Sequence, residues 1–188
     1  MFCSENKLTE LDISKNKKVE RVSCDKNKIK TLKIGANNNL QYLTCYDNAI
    51  KSIDVSKCPN LLDIFIMNNK IKKIDVSKNR KLTSLQVQIN PIKTLNVKNN
   101  KELKALWCYS TKVAKLDVRK NIKLETLVIY ITKIKSIDLK KCKNLKNLST
   151  YRTPIKKLDL RKNKKLNLMQ IGRGTIVKYK GKRRINWV

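Results

Sequence analysis

The chain has 188 residues, 45 of them Lys or Arg against 14 Asp or Glu, for a formal net charge of +31. It contains no histidine, which removes Ser-His-Asp and Cys-His catalysis and every imidazole-based metal site. No run of 18 or more apolar residues is present, so the sequence encodes no transmembrane helix. A field this positive attracts polyanions but says little about fold.

From the N-terminus onward the sequence repeats every 21 residues. Cys3, Cys24 and Cys45 begin a column that runs on through Ile66, Val87, Cys108, Ile129, Thr150 and Ile171. A period in this range predicts a solenoid, in which each coil buries its apolar edge against its neighbours. Residues 1–170 read as eight repeats and residues 171–188 as a degenerate ninth with a C-terminal cap. Because Phe2 and Cys3 are already in register, the chain reads as a piece of something longer.

Each repeat has two half-units of similar grammar. In the second coil, Val22 and Cys24 alternate with period two, as a strand requires, and Leu32 and Ile34 repeat the alternation. Leu43 and Cys45, then Ile53 and Val55, do the same in the next coil, and Leu106 and Cys108, then Leu116 and Val118, further on. Two more apolar columns, Leu8 to Ile155 and Val19 to Leu166, leave too few residues between inward positions for a helix. The expectation is parallel strand ladders joined by tight turns, with coils about 4.8 Å apart and a stack roughly 40 Å long.

Two polar columns mark the turns. One runs Asn6, Asn27, Asn48, Asn69, Asn90, Thr111, Thr132, Thr153. The other runs Asn16, Asn37, Cys58, Asn79, Asn100, Asn121, Cys142, Asn163. An inward Asn carries both donor and acceptor and can satisfy the backbone at a bend. Thr retains a hydroxyl for this task. Cys58 and Cys142 are weaker donors and predict less satisfied turns.

These residues resemble the leucine-rich repeat family. Each half-unit echoes the signature L-x-x-L-x-L-x-x-N/C-x-L, with the permitted Cys at Cys58 and Cys142. The 21-residue period and the Cys column resemble the cysteine-ladder subclass of internalin-like bacterial surface proteins, over about residues 3–170. The resemblance implies a β-rich, right-handed leucine-rich-repeat solenoid with little or no helix. It also implies a non-catalytic binding module from a bacterial surface or secreted protein. The helical N-terminal cap, secretion signal, immunoglobulin-like segment and wall anchor associated with that group have no counterpart in this sequence.

The stacked cysteines read as small hydrophobes, because parallel Cβ vectors in a ladder do not give a disulfide torsion and a straight column does not converge on a metal. The outward carboxylates Asp12, Asp54, Asp75, Asp117, Asp138 and Asp159 read as a row neutralised by flanking lysines such as Lys73, Lys115 and Lys157. A calcium ladder is the weaker alternative. No metal or cofactor is expected.

The aromatic residues carry the functional reading. Phe2, Tyr42, Tyr46, Phe65, Trp107, Tyr109, Tyr130 and Tyr151, eight of the chain's ten aromatics, fall just before, just after or three before the Cys column, where side chains should face outward. Met67 and Val128 join them. Exposed strand positions are ordinarily polar, and rigid amphipathic rings clustered on one face suit binding hot spots. The candidate ligand-binding residues are Tyr42, Tyr46, Phe65, Met67, Trp107, Tyr109, Tyr130 and Tyr151, and the expected partner is a protein or glycan bound by a monomer. Alternatively, the rings merely stabilise the strand surface or pack beneath a further domain.

Arg21 is the only basic residue in those columns. Lysines crowd the turns and the second half-unit, for example Lys17, Lys57, Lys78, Lys120, Lys141 and Lys162. That surface gives the second functional reading, a binder of anionic polymer such as nucleic acid or acidic glycan. Lys far outnumbers Arg there, and aromatics are not interleaved with the lysines, which argues against specific nucleic-acid recognition. In the tail, Gly174 falls in the Asn column and Gly181 in an inward column. The expectation is a short capping hairpin about Gly181 with Trp187 packed on it, beside a basic run, Lys180–Arg184.

Overall fold

A computed structural model describes residues 1–180 and 185–188. Among them the chain forms a parallel-strand solenoid without helix. Short strands at the first half-unit of each coil pair in one nine-stranded parallel sheet. In chain order these are β2 (Arg21–Ser23), β4 (Tyr42–Thr44), β5 (Asp63–Phe65), β6 (Ser84–Gln86), β7 (Ala105–Trp107), β8 (Thr126–Val128), β9 (Asn147–Ser149), β11 (Leu168–Ile171) and β13 (Asn186–Trp187). From β2 to β11 every residue pairs with the one 21 positions on, as in Leu43 with Ile64 and Trp107 with Val128. The sequence period is therefore the ladder register.

The inward residue of each strand, from Val22 to Met169, and the Cys-column residue after it form the core, with the two further apolar columns behind them. Burying each Leu or Ile stabilises the stack by about 1.5–3 kcal/mol, and this contribution is shared between neighbouring coils. All six cysteines are free, and all but Cys3 are buried. Burial pushes the Cys108 thiol up to about 12, which fits a packing residue rather than a reactive one.

The strands end after three residues because the chain turns there. Two residues beyond the Cys column, Glu5, Lys26, Asp47, Asn68, Ile89, Ser110, Ile131 and Arg152 all have φ between 50 and 59°. The first Asn column fastens this turn. Asn69 Nδ2 donates to the carbonyls of Ile66 and Met67 in its own coil and of Cys45 in the preceding one, while its Oδ1 accepts from the Ile50 N–H. Asn27, Asn48 and Asn90 repeat the pattern. Thr111, Thr132 and Thr153 keep only the bond within their own coil.

The second polar column works differently. Asn79, Asn100, Asn121 and Asn163 donate to two carbonyls of the preceding coil, but their Oδ1 atoms are buried without a partner. At these four positions only the donor is used, so a thiol can stand in, whereas Asn37 in the same column also accepts from the Asn39 and Leu40 N–H groups. Cys142 Sγ reaches the Val118 and Asn121 carbonyls at 3.6 and 3.8 Å, a weaker version of the same contacts.

Two expectations are corrected on the second half-unit. Its strands pair only near the ends, β1 (Glu10–Asp12) with β3 (Thr31–Lys33) and β10 (Lys157–Asp159) with β12 (Ile176–Lys178). Between them the segments are extended but unladdered, and grooves open between coils. One of about 580 Å³ lies along Leu95, Leu116 and Asp117. The Asp column, expected to be neutralised by lysines such as Lys73, Lys115 and Lys157, chiefly closes turns, and among the described residues Lys33 makes its one lysine ion pair, to Asp12 at 3.8 Å. Asp12, Asp54, Asp75, Asp117, Asp138 and Asp159 each accept the N–H two residues on. Arg119 and Arg161 supply the close ion pairs, to Asp117 and Asp159.

The tail also departs from expectation. Leu158 pairs with Val177, 19 positions on, and Gln170 pairs with Asn186, 16 on. The shortening begins at the turn closed by Thr175 N–H to the Gly172 carbonyl, with Gly174 at φ 82°. β12 and β13 each continue a parallel ladder instead of forming a hairpin with one another, so the edge amides of β10 and β11 are satisfied by the next coil. The turn expected about Gly181 and the basic run beyond Lys180 lie outside the described residues.

Candidate ligand-binding face

The outward face of the nine-stranded ladder is built from the residues on either side of each inward side chain. Tyr42, Tyr46, Phe65, Met67, Trp107, Tyr109, Tyr130 and Tyr151 all lie on it, and all are half-buried. They are covered by neighbours on the same face, because successive coils place equivalent side chains one strand spacing apart. Phe2, at the first coil, is 76% exposed.

The ladder brings some of these residues together and separates others. Tyr109, Tyr130 and Tyr151 stack face to face, with centroids 4.3 and 4.4 Å apart and rings inclined by 11° and 12°. Burial, then the flanking Tyr109 and Tyr151, push the Tyr130 phenol well above its ordinary value. Trp107 and Phe65 occupy one column but are held apart by Gln86. Tyr42 lies under the Arg21 guanidinium, 4.1 Å from its ring centroid.

Near the first coils the face carries a polar cluster that column reasoning overlooked. Asp25 is buried, and its carboxylate accepts from Ser4 and Ser23 at 2.9 and 2.8 Å. Burial opposes its charge, but these hydrogen bonds outweigh it and hold the carboxyl below its ordinary value. Partial burial, then the Asp25 carboxylate, push the Tyr46 phenol up. The signal was available: Ser4, Ser23 and Asp25 occupy the same outward columns as the rings. Ile89 and Ile131 were also missed. They border the tyrosine stack on the turn side, 45% and 40% exposed.

Comparison with solved structures places this architecture. The functional domain of InlJ from Listeria monocytogenes, described as including a cysteine ladder, matches 96% of this chain at 26% identity and a TM-score of 0.73. The chain is a leucine-rich-repeat solenoid that resembles the cysteine-ladder internalins. Two more distant structures share the fold. A leucine-rich-repeat protein of Leptospira interrogans matches 87% of the chain at 18% identity and a TM-score of 0.64, and internalin InlF of L. monocytogenes matches 96% at 18% and 0.58. The chain spans 48% of the InlJ domain, 52% of the Leptospira protein and 68% of InlF. No family model and no curated protein matches the sequence.

In this internalin-like solenoid the inward columns are repetitive and the outward columns vary from coil to coil. Among the described residues Arg21 remains the lone cation in the outward ladder columns, while the lysines ring the turns and the second half-unit. Among the described residues no helix is long and apolar enough to cross a membrane.

Proposed function

We propose that the chain is a non-catalytic recognition module of a bacterial surface or secreted protein, and that it binds a protein partner through the aromatic face of the strand ladder. One observation carries this reading: a rigid ladder presents Tyr42, Tyr46, Phe65, Met67, Trp107, Tyr109, Tyr130 and Tyr151 on a single, nearly lysine-free face of a chain with net charge +31. Rings held by neighbours lose little rotamer freedom on binding, which favours hot spots. The stacked arrangement of Tyr109, Tyr130 and Tyr151 hides both faces of Tyr130 and the inner faces of the other two, so it offers mostly edges and hydroxyls. That suits the mixed surface of a protein better than a run of sugar rings, each needing its own free face.

The test compares the chain with a Trp107→Ala/Tyr109→Ala variant against arrayed host and bacterial surface proteins, alongside heparin as a polyanion probe. A saturable protein partner retained at about 150 mM salt and lost by the variant supports the aromatic face. A chain that binds only heparin, with affinity falling by orders of magnitude between about 50 and 200 mM salt, overturns it in favour of the lysine-rich surface.

A further inference from the structure

The tyrosine stack is closed at one end and open at the other. Before Tyr109 the same column holds Gln88, which is only 5% exposed. After Tyr151 it holds Gly172. Neither conformation nor crowding requires a glycine there. Its φ is not in the left-handed region, and an added Cβ would meet Tyr151 Cα and the Arg152 nitrogen at 3.6 Å, ordinary contact. Gly35 shows the contrast, with φ 69° and Ser14 Cα 2.9 Å from a built Cβ. At Gly172 the missing side chain leaves a gap in the column between Tyr151 and Val188, which the β11–β13 register places one coil further on, and among the described residues no further ring or guanidinium stacks on the outer face of Tyr151.

The surroundings of this gap are one-sided in charge. Arg152 and Arg173, both exposed, stand on its turn side in consecutive coils, and the nearby strand positions 147–153 and 168–175 contain no Asp or Glu. A partner's arginine or lysine would be repelled. A neutral ring would repeat the geometry that Tyr130 already adopts on Tyr151, and carboxylates beside it would meet the two guanidinium groups.

We propose that Tyr151, Gly172 and the Arg152–Arg173 rim form a slot that receives one aromatic side chain from an acidic segment of a protein partner. The slot rests on the reading that the aromatic face binds protein, and supplies its anchoring point. The incoming ring becomes the fourth member of the stack.

The test uses two capped tripeptides, Asp-Trp-Asp and Asp-Leu-Asp, titrated into the whole chain while the Tyr151 ring protons are followed by NMR. The expected result is a saturable upfield shift at Tyr151 from the Trp peptide, with affinity about three- to tenfold above the Leu peptide. Gly172→Ala keeps the response, Gly172→Tyr abolishes it by filling the gap, and Tyr151→Ala abolishes it by removing the floor. Equal affinity for the two peptides, or a response that survives in Gly172→Tyr, overturns the slot. Should Gly172→Tyr not fold, Tyr151→Ala with the Leu control decides alone. A protein partner lost by Trp107→Ala/Tyr109→Ala but indifferent to Gly172→Tyr sinks the slot while leaving the wider face intact.

Discussion

At the scale of single residues, the turn after each strand asks for a conformation that its side chains do not select. Ile89 and Ile131 sit at φ 55 and 51°, where a β-branched residue crowds its own backbone. Relieving that crowding should be worth about 1 kcal/mol, since L residues lose roughly 1–2 kcal/mol in the left-handed region and Asn loses less. Ile131→Asn is therefore expected to raise the urea midpoint of unfolding, and Gly35→Ala to lower it by the equivalent of about 1–3 kcal/mol. An unchanged midpoint in Ile131→Asn would show that the turn carries no strain. This column was illegible in the sequence for a physical reason. Its members, from Glu5 to Arg152, share a backbone angle imposed by the bend and by the Asn or Thr beside each, and nothing in their composition records it.

At the scale of elements, the two Asn columns look alike in sequence and differ in use. Their inward placement was readable from spacing alone. What spacing could not tell is that the Asn residues of the first column use donor and acceptor together, whereas the second, beyond Asn37, uses only its donors and leaves Oδ1 atoms orphaned at Asn79, Asn100, Asn121 and Asn163. The Cys substitutions at 58 and 142 follow from that difference, since a thiol can donate weakly but replaces an amide acceptor poorly. Asn69→Cys should strip the Ile50 N–H of its partner and cost about 2–4 kcal/mol. Asn100→Cys should cost about half as much, because only the two donated bonds weaken. Chemical denaturation of the two variants measures this directly, and equal losses would refute the assignment of roles. The second-half strands were misjudged for a related reason. Period-two alternation sets which side chains turn inward, but whether adjacent segments approach to hydrogen-bonding distance depends on the spread of the coils. Among the described residues only β1 with β3 and β10 with β12 close that gap.

At the scale of the whole molecule, charge is the chief destabilising field. A stack carrying a net +31 repels itself along its length, and six of its 14 acids act as turn caps. Hydrogen bonds from Arg119, from its side chain and then its backbone, hold the Asp117 carboxyl down at about 2, and Asp12, Asp54 and Asp75 are lowered by hydrogen bonds from the Ser two residues on. A carboxyl depressed in the folded state contributes stability that is complete above its unfolded value of about 4 and disappears as pH falls through the folded value. The caps are thus intact at neutral pH, and stability should decline between about pH 4 and pH 2, where protonation weakens the turns and also removes the acids that offset the lysines. Asp117→Asn should flatten part of this decline, because an amide oxygen can still accept the turn N–H, as Asn96 does from Lys98. Salt separates the two causes. Screening shortens the reach of repulsion between coils to about 8 Å at physiological ionic strength but leaves a hydrogen-bonded cap largely untouched. Raising salt from about 10 to 150 mM should therefore raise the melting temperature at pH 7, where the caps are complete. At pH 2 it should restore only the share of stability that repulsion had taken. Full recovery by salt at pH 2 would mean that the Asp turns contribute nothing, and no effect of salt at pH 7 would mean that the excess of lysine is energetically silent.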